Sequence, residues 1–493
     1  MNMEKDYIKL IFGLKLKQAR TNKALSLFGL AKITELSKSY LNEIEKGKKY
    51  PKTDKIILLA EKLEVSYDHM VSLKLDNNLA PIGEILKSGI LKEIPLDIFG
   101  IQENDLIDII ANAPAKVNAF ISTIIEIAQH YNLSRESFFL AALRSYQEAQ
   151  NNYFDDLEQK VLDFSKAFHI NMNEKISLDE LTAVLKEEYG YTIQELIFSE
   201  QEELGDLRSI FVPQSKTLLL SLEIDQQQKA FILAKEIAYN YLKIKDRLFT
   251  FSWIKFDNFD QVLNNFYASY FAGALLIPRK KLIGELNVFL SKSHPTAEEM
   301  IALMNQFNVS PESFYQRLTN ILPKDFQLKN LFFLRLSHKI GTDTYQIKKE
   351  LHITNQQEPH ANEMNEHYCR RWVCIRTIEA AIAEKKEHYF SAQMSRYDNS
   401  NNEYLVFSSA TQDPFRKNYL RSISVGILMS AAMKKKFKFI GNGTIKKVLV
   451  GVTCETCAVK DCLERASPPI HLEKKKRNEN TDLIVQQYMA KFS

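Results

Sequence analysis

Hydrophobic residues make up 45% and charged residues 26% of the 493 positions, the balance of a soluble folded protein, and the length suggests about three domains rather than one core. No stretch reaches ~18 uninterrupted apolar residues, and the N-terminus lacks the apolar core of a signal peptide. That argues against a membrane protein and makes the cytoplasm the expected compartment. The net charge of +4 is small, but Lys and Arg outnumber Asp and Glu up to residue 75, a basic head suited to phosphate contact.

Tyr7 to Asn22 reads as a first helix, with Leu10, Leu14, Leu16 and Ala19 facing a core. Ser26 to Thr34 follows as a short amphipathic helix, Ser26 its N-cap and Leu27, Leu30, Ala31 and Ile33 on one face. Ser37 caps the next helix, which carries Tyr40, Leu41 and Ile44 inward and Lys38, Ser39, Asn42 and Glu45 outward, and Gly47 stops it where a positive φ is needed. Thr53 to Leu63 and Ser66 to Leu73 complete the bundle. Two short helices, a tight turn and a polar outer face on the second describe a helix-turn-helix.

Leu75 to Gly100 contains Pro81, Gly83, Gly89, Pro95 and Gly100 and reads as a boundary. From Gln102 to Phe168 the pattern is helical, with long amphipathic runs at Val117 to Tyr131 and Arg135 to Ala149 separated by Asn132, Leu133 and the capping Ser134. A hairpin of this kind serves as a spacer or dimer module, and Tyr146, Tyr153 and Phe154 are expected in its core or interface. Asp179 to Tyr189 reads as a helix, and Leu207 to Val212 and Thr217 to Leu222 as strands joined at Pro213 to Lys216. A strongly periodic helix runs from Gln228 to Leu242. Pro295 to Leu318 holds two more helices, the second with Arg317 on its polar face and a packing role. Leu331 to Leu336 is an apolar strand, and Thr354 to Asn365 a polar loop.

All five cysteines lie after residue 368. In a reducing compartment metal ligation is the sharper reading than disulfides. Val448 to Val452 is a β-branched strand ending in Cys454, Cys457 and Cys462, spaced C-x2-C-x4-C. Two thiolates two residues apart can wrap one metal, and the third lies within reach. Lys460 and Arg465 would lower the thiol pKa values. Three readings stay open: packed thiols, structural zinc with His471, Cys369 or His367 as fourth ligand, and an iron–sulfur cluster.

Three resemblances can be placed on these residues. The head, through Leu30-Ala31, Ser39-Tyr40-Leu41, Ile44 to Lys48, Pro51, Leu59-Ala60 and Leu63, resembles Cro- and phage-repressor-like (XRE-type) DNA-binding domains. That implies a recognition helix from Ser37 to Lys46 in the major groove, with Lys38, Ser39 and Asn42 nearest the bases and Lys46, Lys48, Lys49 and Tyr50 on phosphates. Leu27 stands where that family has a phosphate-gripping Gln. The framing of Gln228 to Leu242, with Phe271 to Pro278, resembles ImmA/IrrE-type zinc metallopeptidases. A zincin helix needs His at i and i+4 and Glu at i+1, whereas this chain has Lys235, Tyr239 and Glu236, and Asn264 to Tyr267 replaces the expected acidic third ligand. No catalytic residues and no zinc are therefore expected at that helix.

The tail residues Gly451, Cys454, Cys457, Asp461-Cys462, Arg465-Ala466 and Pro468-Pro469, together with Arg144 to Tyr153, Phe271 to Pro278, Phe307 to Leu318 and Cys369 to Trp372, resemble the short-chain fatty acyl transcriptional regulators. The resemblance implies a short-chain acyl-CoA or related carboxylate as effector, and for some members an iron–sulfur cluster on these cysteines. Arg371, Trp372 and Arg421 are the ligand candidates, since CoA phosphates need cations and adenine a flat face. His471 to Arg477 extends beyond the resemblance as a solvated basic tail.

The expected fold is multidomain and mainly α with α+β parts. Residues 1–75 form a lambda-repressor-like helix-turn-helix domain, 76–154 a helical spacer for dimerisation, 155–325 a degenerate zincin-like α+β domain, and 326–493 an α+β sensor domain. The expected partners are double-stranded DNA, a small effector and a second copy of the chain. The rival readings are a regulatory metallopeptidase that cleaves a partner repressor and an antitoxin-like protein binder.

Overall fold

The computed structural model describes residues 3–73, 135–205, 207–251, 256–353, 366–398, 400, 402–413, 416 and 418–492. The boundary at Leu75 to Gly100, the helix at Val117 to Tyr131 with its connection to Ser134, and the loop at Thr354 to Asn365 lie outside the described residues. The chain is multidomain and forms two compact units, Met1–Ala142 and Leu143–Ser493.

The first unit contains α1 (Met3–Asn22), α2 (Leu27–Thr34), α3 (Lys38–Glu45), α4 (Thr53–Leu63) and α5 (Tyr67–Val71). Ser26, Ser37 and Ser66 cap α2, α3 and α5, each hydroxyl accepting from the backbone amide three residues on. Phe12, Leu16, Leu30, Leu41, Ile44, Leu59 and Leu63 form the core. Leu27 packs against it, which is what that residue does in place of a phosphate contact. Ile33, expected on the inner face, is 40% exposed, and Thr34 takes the buried position by bonding back to the Leu30 carbonyl.

In the second unit, α6 (Arg135–Ala149) enters from the first, and α7 (Asp155–Ala167) and α8 (Leu178–Ala183) follow. A small sheet comes next, made of β1 (Thr192–Leu196), β2 (Ser209–Val212), β3 (Thr217–Ser221) and β4 (Thr250–Phe251), in the order β1-β3-β2-β4. α9 (Gln226–Tyr241) and α10 (Phe259–Leu276) pack on each other and share a core with β3, and α11 (Arg279–Leu290), α12 (Ala297–Asn305) and α13 (Pro311–Asp325) follow. Asp225 and Gln228 form a capping box that starts α9.

The larger sheet comprises β5 (Leu331–Lys339), β6 (Tyr345–Ile353), β7 (His388–Tyr397), β8 (Glu403–Gln412), β9 (Tyr419–Leu428) and β10 (Lys447–Val450). Its order is β10-β7-β8-β9-β5-β6, antiparallel except for β10 on β7. One face of β5 sends Phe332, Leu334 and Leu336 towards α14 (Val373–Glu384), and the other sends Leu331 and Phe333 into the large core shared with α9, α10 and α13. α15 (Ala431–Lys436) precedes β10, and the basic stretch from His471 begins α16 (Ile470–Phe492), an exposed helix.

Arg317, expected on a polar face of α13, is buried instead. Its guanidinium donates to both Glu158 carboxylate oxygens at 2.5 and 3.0 Å and to the Ile277 carbonyl at 3.1 Å. A long-range partner, rather than solvent, satisfies that charge.

Candidate functional site

Helix α3, expected from the sequence to be the recognition helix, is held by its neighbour α1. Gly13 lets the helices touch: a Cβ there would stand 2.3 Å from the Ile44 carbonyl oxygen. Arg20 adds a two-pronged ion pair to Glu45, Nε to Oε1 at 2.6 Å and Nη2 to Oε2 at 2.9 Å. Glu45 therefore does not face outward as the helical spacing predicts; the pair keeps its carboxylate at 7% exposure. With α3 fixed, Lys38, Ser39 and Asn42 lie exposed along it, and Lys46, Lys48, Lys49 and Tyr50 follow on the exposed turn. Lys49 is partly occupied by Glu43 at 2.8 Å, and the Tyr50 ring leans edge-on against Phe12.

In the second unit α9 and α10 bring the degenerate peptidase positions together. The Lys235 ammonium donates to Asn265 Oδ1 at 2.6 Å, and the Tyr239 hydroxyl donates to the same oxygen at 3.3 Å. Burial drives the Lys235 pKa down to about 7, against the pull of the Glu236 carboxylate. Glu236 itself is held by Arg247, whose Nη1 and Nη2 donate to Oε2 at 2.8 Å and Oε1 at 2.5 Å. Tyr191 donates to Oε2 at 3.1 Å and accepts from Asn240 at 2.9 Å. A carboxylate with this many donors is a poor base for activating water, and an ammonium and a phenol are poor substitutes for imidazole ligands. Arg247 and Tyr191 carry no motif and were invisible to sequence reading.

The cysteines converge elsewhere in this unit. One cavity is lined by Cys369, Cys454, Cys457 and Cys462, together with Arg371, Gly451 and Arg465. The Gly451 amide reaches Cys369 Sγ and the Ala466 amide reaches Cys454 Sγ, each at 3.4 Å. Gly451 is needed, because a Cβ there would stand 2.8 Å from Cys457 Sγ. Arg465 straps the loop by donating to the Cys454 and Val459 carbonyls at 3.0 and 2.5 Å. Burial pushes the Cys369 thiol up to about 11 and raises Cys457, so desolvation outweighs the lowering effect expected of Arg465; Lys460 is exposed.

Of the other candidate fourth ligands, His367 Nδ1 is bonded to Glu455 at 2.8 Å and His471 Nε2 lies 3.1 Å from Glu366. Among the described residues no group of three or more His, Cys, Asp or Glu side chains already stands as a metal-binding cluster. Four cysteines line one cavity, with backbone amides directed at two of the sulfurs, and cysteine thiolates are the kind of ligand that zinc and iron–sulfur clusters take.

The three ligand candidates are not brought together. Arg371 lines the cysteine cavity. Trp372 is 3% exposed, stacks on Tyr368 and donates its indole N–H to the Gly451 carbonyl at 2.8 Å, supporting the cysteine loop from beneath. Arg421 lies on β9, its Nη1 3.9 Å from Glu312.

Comparisons with known proteins match this geometry in two places. A helix-turn-helix domain family matches residues 13–75, and the IrrE N-terminal-like domain of the M78 peptidases matches residues 186–319. The chain joins a helix-turn-helix head to an IrrE-like domain. A solved structure described as a Mycobacterium tuberculosis transcriptional regulator is 18% identical, with a TM-score of 0.45, over 66% of this chain and 92% of that one. No curated protein matches the chain. Among the described residues no helix is long and apolar enough to cross a membrane.

Proposed function

We propose that this chain is a sequence-specific, homodimeric transcriptional regulator that responds to a small metabolite and does not cleave peptides. The observation that carries this is the α3 surface: Lys38, Ser39 and Asn42 lie exposed on a helix clamped by Ser37, Gly13 and the Arg20–Glu45 pair. A short helix reads few base pairs, so two copies on paired half-sites are needed for a useful operator. The output domain is residues 1–75 and the spacer residues 76–154. Residues 155–325 form a disarmed peptidase scaffold, and residues 326–493 carry the sensor.

The effector on this reading is a short-chain acyl-CoA or related carboxylate, as in the short-chain fatty acyl regulators, with Arg421 as one anion contact. Cys454, Cys457 and Cys462, with Cys369 as fourth ligand, would hold an iron–sulfur cluster or zinc. A metal centre held there would supply a redox-sensitive or structural link between the loop after β10 and the segment before α14. The chain's own residues set its surroundings: Gly451 leaves room at Cys457, Arg465 fixes the loop and Trp372 supports it. The pairing of Glu236 with Arg247 supports the non-peptidase reading.

The test is selection from a randomised duplex pool, followed by salt titrations on the selected and a scrambled duplex. Asn42→Ala should lose about 1–3 kcal/mol of preference for the selected site, whereas Lys48→Ala should weaken both duplexes alike and reduce the salt slope by about one. Equal losses on both duplexes for both variants would overturn the assignment.

A further inference from the structure

The exposed side of α3 carries one residue that contacts by Lys38, Ser39 and Asn42 leave unexplained. The helix holds two acids, Glu43 and Glu45. Arg20 draws Glu45 against α1. Glu43 is placed differently: it follows Ser39 by four residues and Asn42 by one, so it shares their side of the helix, and its side chain is 40% exposed. A carboxylate there is repelled by phosphates, and in a groove it must find a donor to replace the water it loses.

The turn after α3 brings a cation to this acid. Gly47 takes φ 67°, and the Lys48 and Lys49 amides fold back to the Glu43 carbonyl at 2.9 and 3.2 Å. The Lys49 ammonium then lies 2.8 Å from Glu43 Oε2 and 5.8 Å from the centre of the Tyr40 ring. The Arg20–Glu45 pair is two-pronged and shielded, whereas this one is a single contact between solvent-reaching side chains, a kind that exchanges readily. Glu43 therefore keeps from phosphate a cation that the turn otherwise presents to it, and keeps it weakly.

We propose that Glu43 reads a cytosine and that this contact releases Lys49 to the DNA backbone. Two bases offer an amino donor in the major groove. Adenine sets its N7 acceptor beside that donor, where a second carboxylate oxygen is repelled; cytosine N4 has no such neighbour. On cytosine the carboxylate exchanges the ammonium for the amino group, and Lys49 exchanges the carboxylate for a phosphate. At another base Glu43 retains Lys49, so one base contact and one phosphate contact are lost together. This role of Glu43 rests on the reading of α3 as the recognition helix and makes the backbone grip conditional on base identity.

Selection from a randomised duplex pool with the full chain and with its Glu43→Gln variant, followed by salt titrations, tests the role. Wild type should enrich a cytosine in each half-site. Glu43→Gln, isosteric at a partly exposed position, should replace it with adenine, whose N6 and N7 an amide can bond together, and shift the preference between the two bases by about tenfold or more. The wild-type salt slope should be steeper on the selected duplex than on one with that cytosine changed to thymine, by about one charge. Lys49→Gln should remove this difference and still select cytosine.

Tighter binding of Glu43→Gln to every duplex alike, with cytosine still selected, would make Glu43 a counter-ion only and overturn the proposal. An enriched sequence indifferent to Glu43→Gln would overturn it equally while leaving α3 as the recognition helix. A wild type that enriches no sequence would overturn the recognition-helix reading itself, and the role of Glu43 with it.

Discussion

The peptidase helix and the cysteine loop are both places where side chains from distant segments converge, and they converge to opposite effect. Around Lys235 and Glu236 side chains answer one another: Asn265 accepts from Lys235 and Tyr239, and Arg247 and Tyr191 close on Glu236. Cys454 and Cys457 line a cavity with Cys369 and Cys462, and among the described residues the contacts that reach the Cys369 and Cys454 sulfurs come from backbone amides rather than from charged side chains. Convergence alone does not make a metal site. What matters is whether the converging groups still need a partner.

The largest expected effect comes from breaking the closed site. Glu236→Ala strands a buried guanidinium and should cost about 3–5 kcal/mol in urea unfolding, far more than truncation of an exposed glutamate. A loss below about 1 kcal/mol would mean that the Arg247 pair is not holding the helix and that the site is looser than its geometry.

A smaller effect sharpens the same contrast through pH. Burial lowers the Lys235 pKa from its ordinary 10.5 to about 7, so the unfolded chain binds a proton that the folded chain lacks between those values. Stability conferred by this position therefore rises with pH from about 7 to about 10.5, by at most about 1.4 kcal/mol per pH unit, and the penalty is complete below pH 7. Lys235→Met, which leaves Asn265 accepting from Tyr239, should be more stable than wild type near pH 6 and lose that advantage as pH rises. Parallel stability curves for the two proteins would show that the ammonium is not desolvated.

Local signals were legible in the sequence, and long-range compensation was not. The ends of α4 and α6 fall at Thr53–Leu63 and Arg135–Ala149 as the periodicity and turns predict, and Ser26 and Ser37 cap as expected. β1 was missed because most of it is exposed and it lacks an alternating apolar pattern; its partner β3 makes it a strand. The strands β7, β8 and β9 also went unread, although they build the centre of the larger sheet.

Charged residues were the main source of error. Glu45 and Arg317 read as solvent-facing because their partners, Arg20 and Glu158, lie 25 and 159 positions away. Arg335, Lys349 and Arg421 become neighbours only through strand register. The same register dependence places Arg421 beside Glu312 and leaves Arg371 at the cysteine cavity, so the three residues expected to share a ligand do not form one site.

Metal analysis of anaerobically purified protein tests the contrast between the closed and open sites most directly. One metal centre per chain is expected, as iron with sulfide or as zinc, lost in Cys454→Ser and Cys369→Ser and lowered in Gly451→Ala, where the added Cβ crowds Cys457. The same centre should remain in Glu236→Ala and Lys235→Met. Zinc that survives the cysteine substitutions and disappears with Glu236→Ala would contradict the account and return the peptidase helix to catalysis.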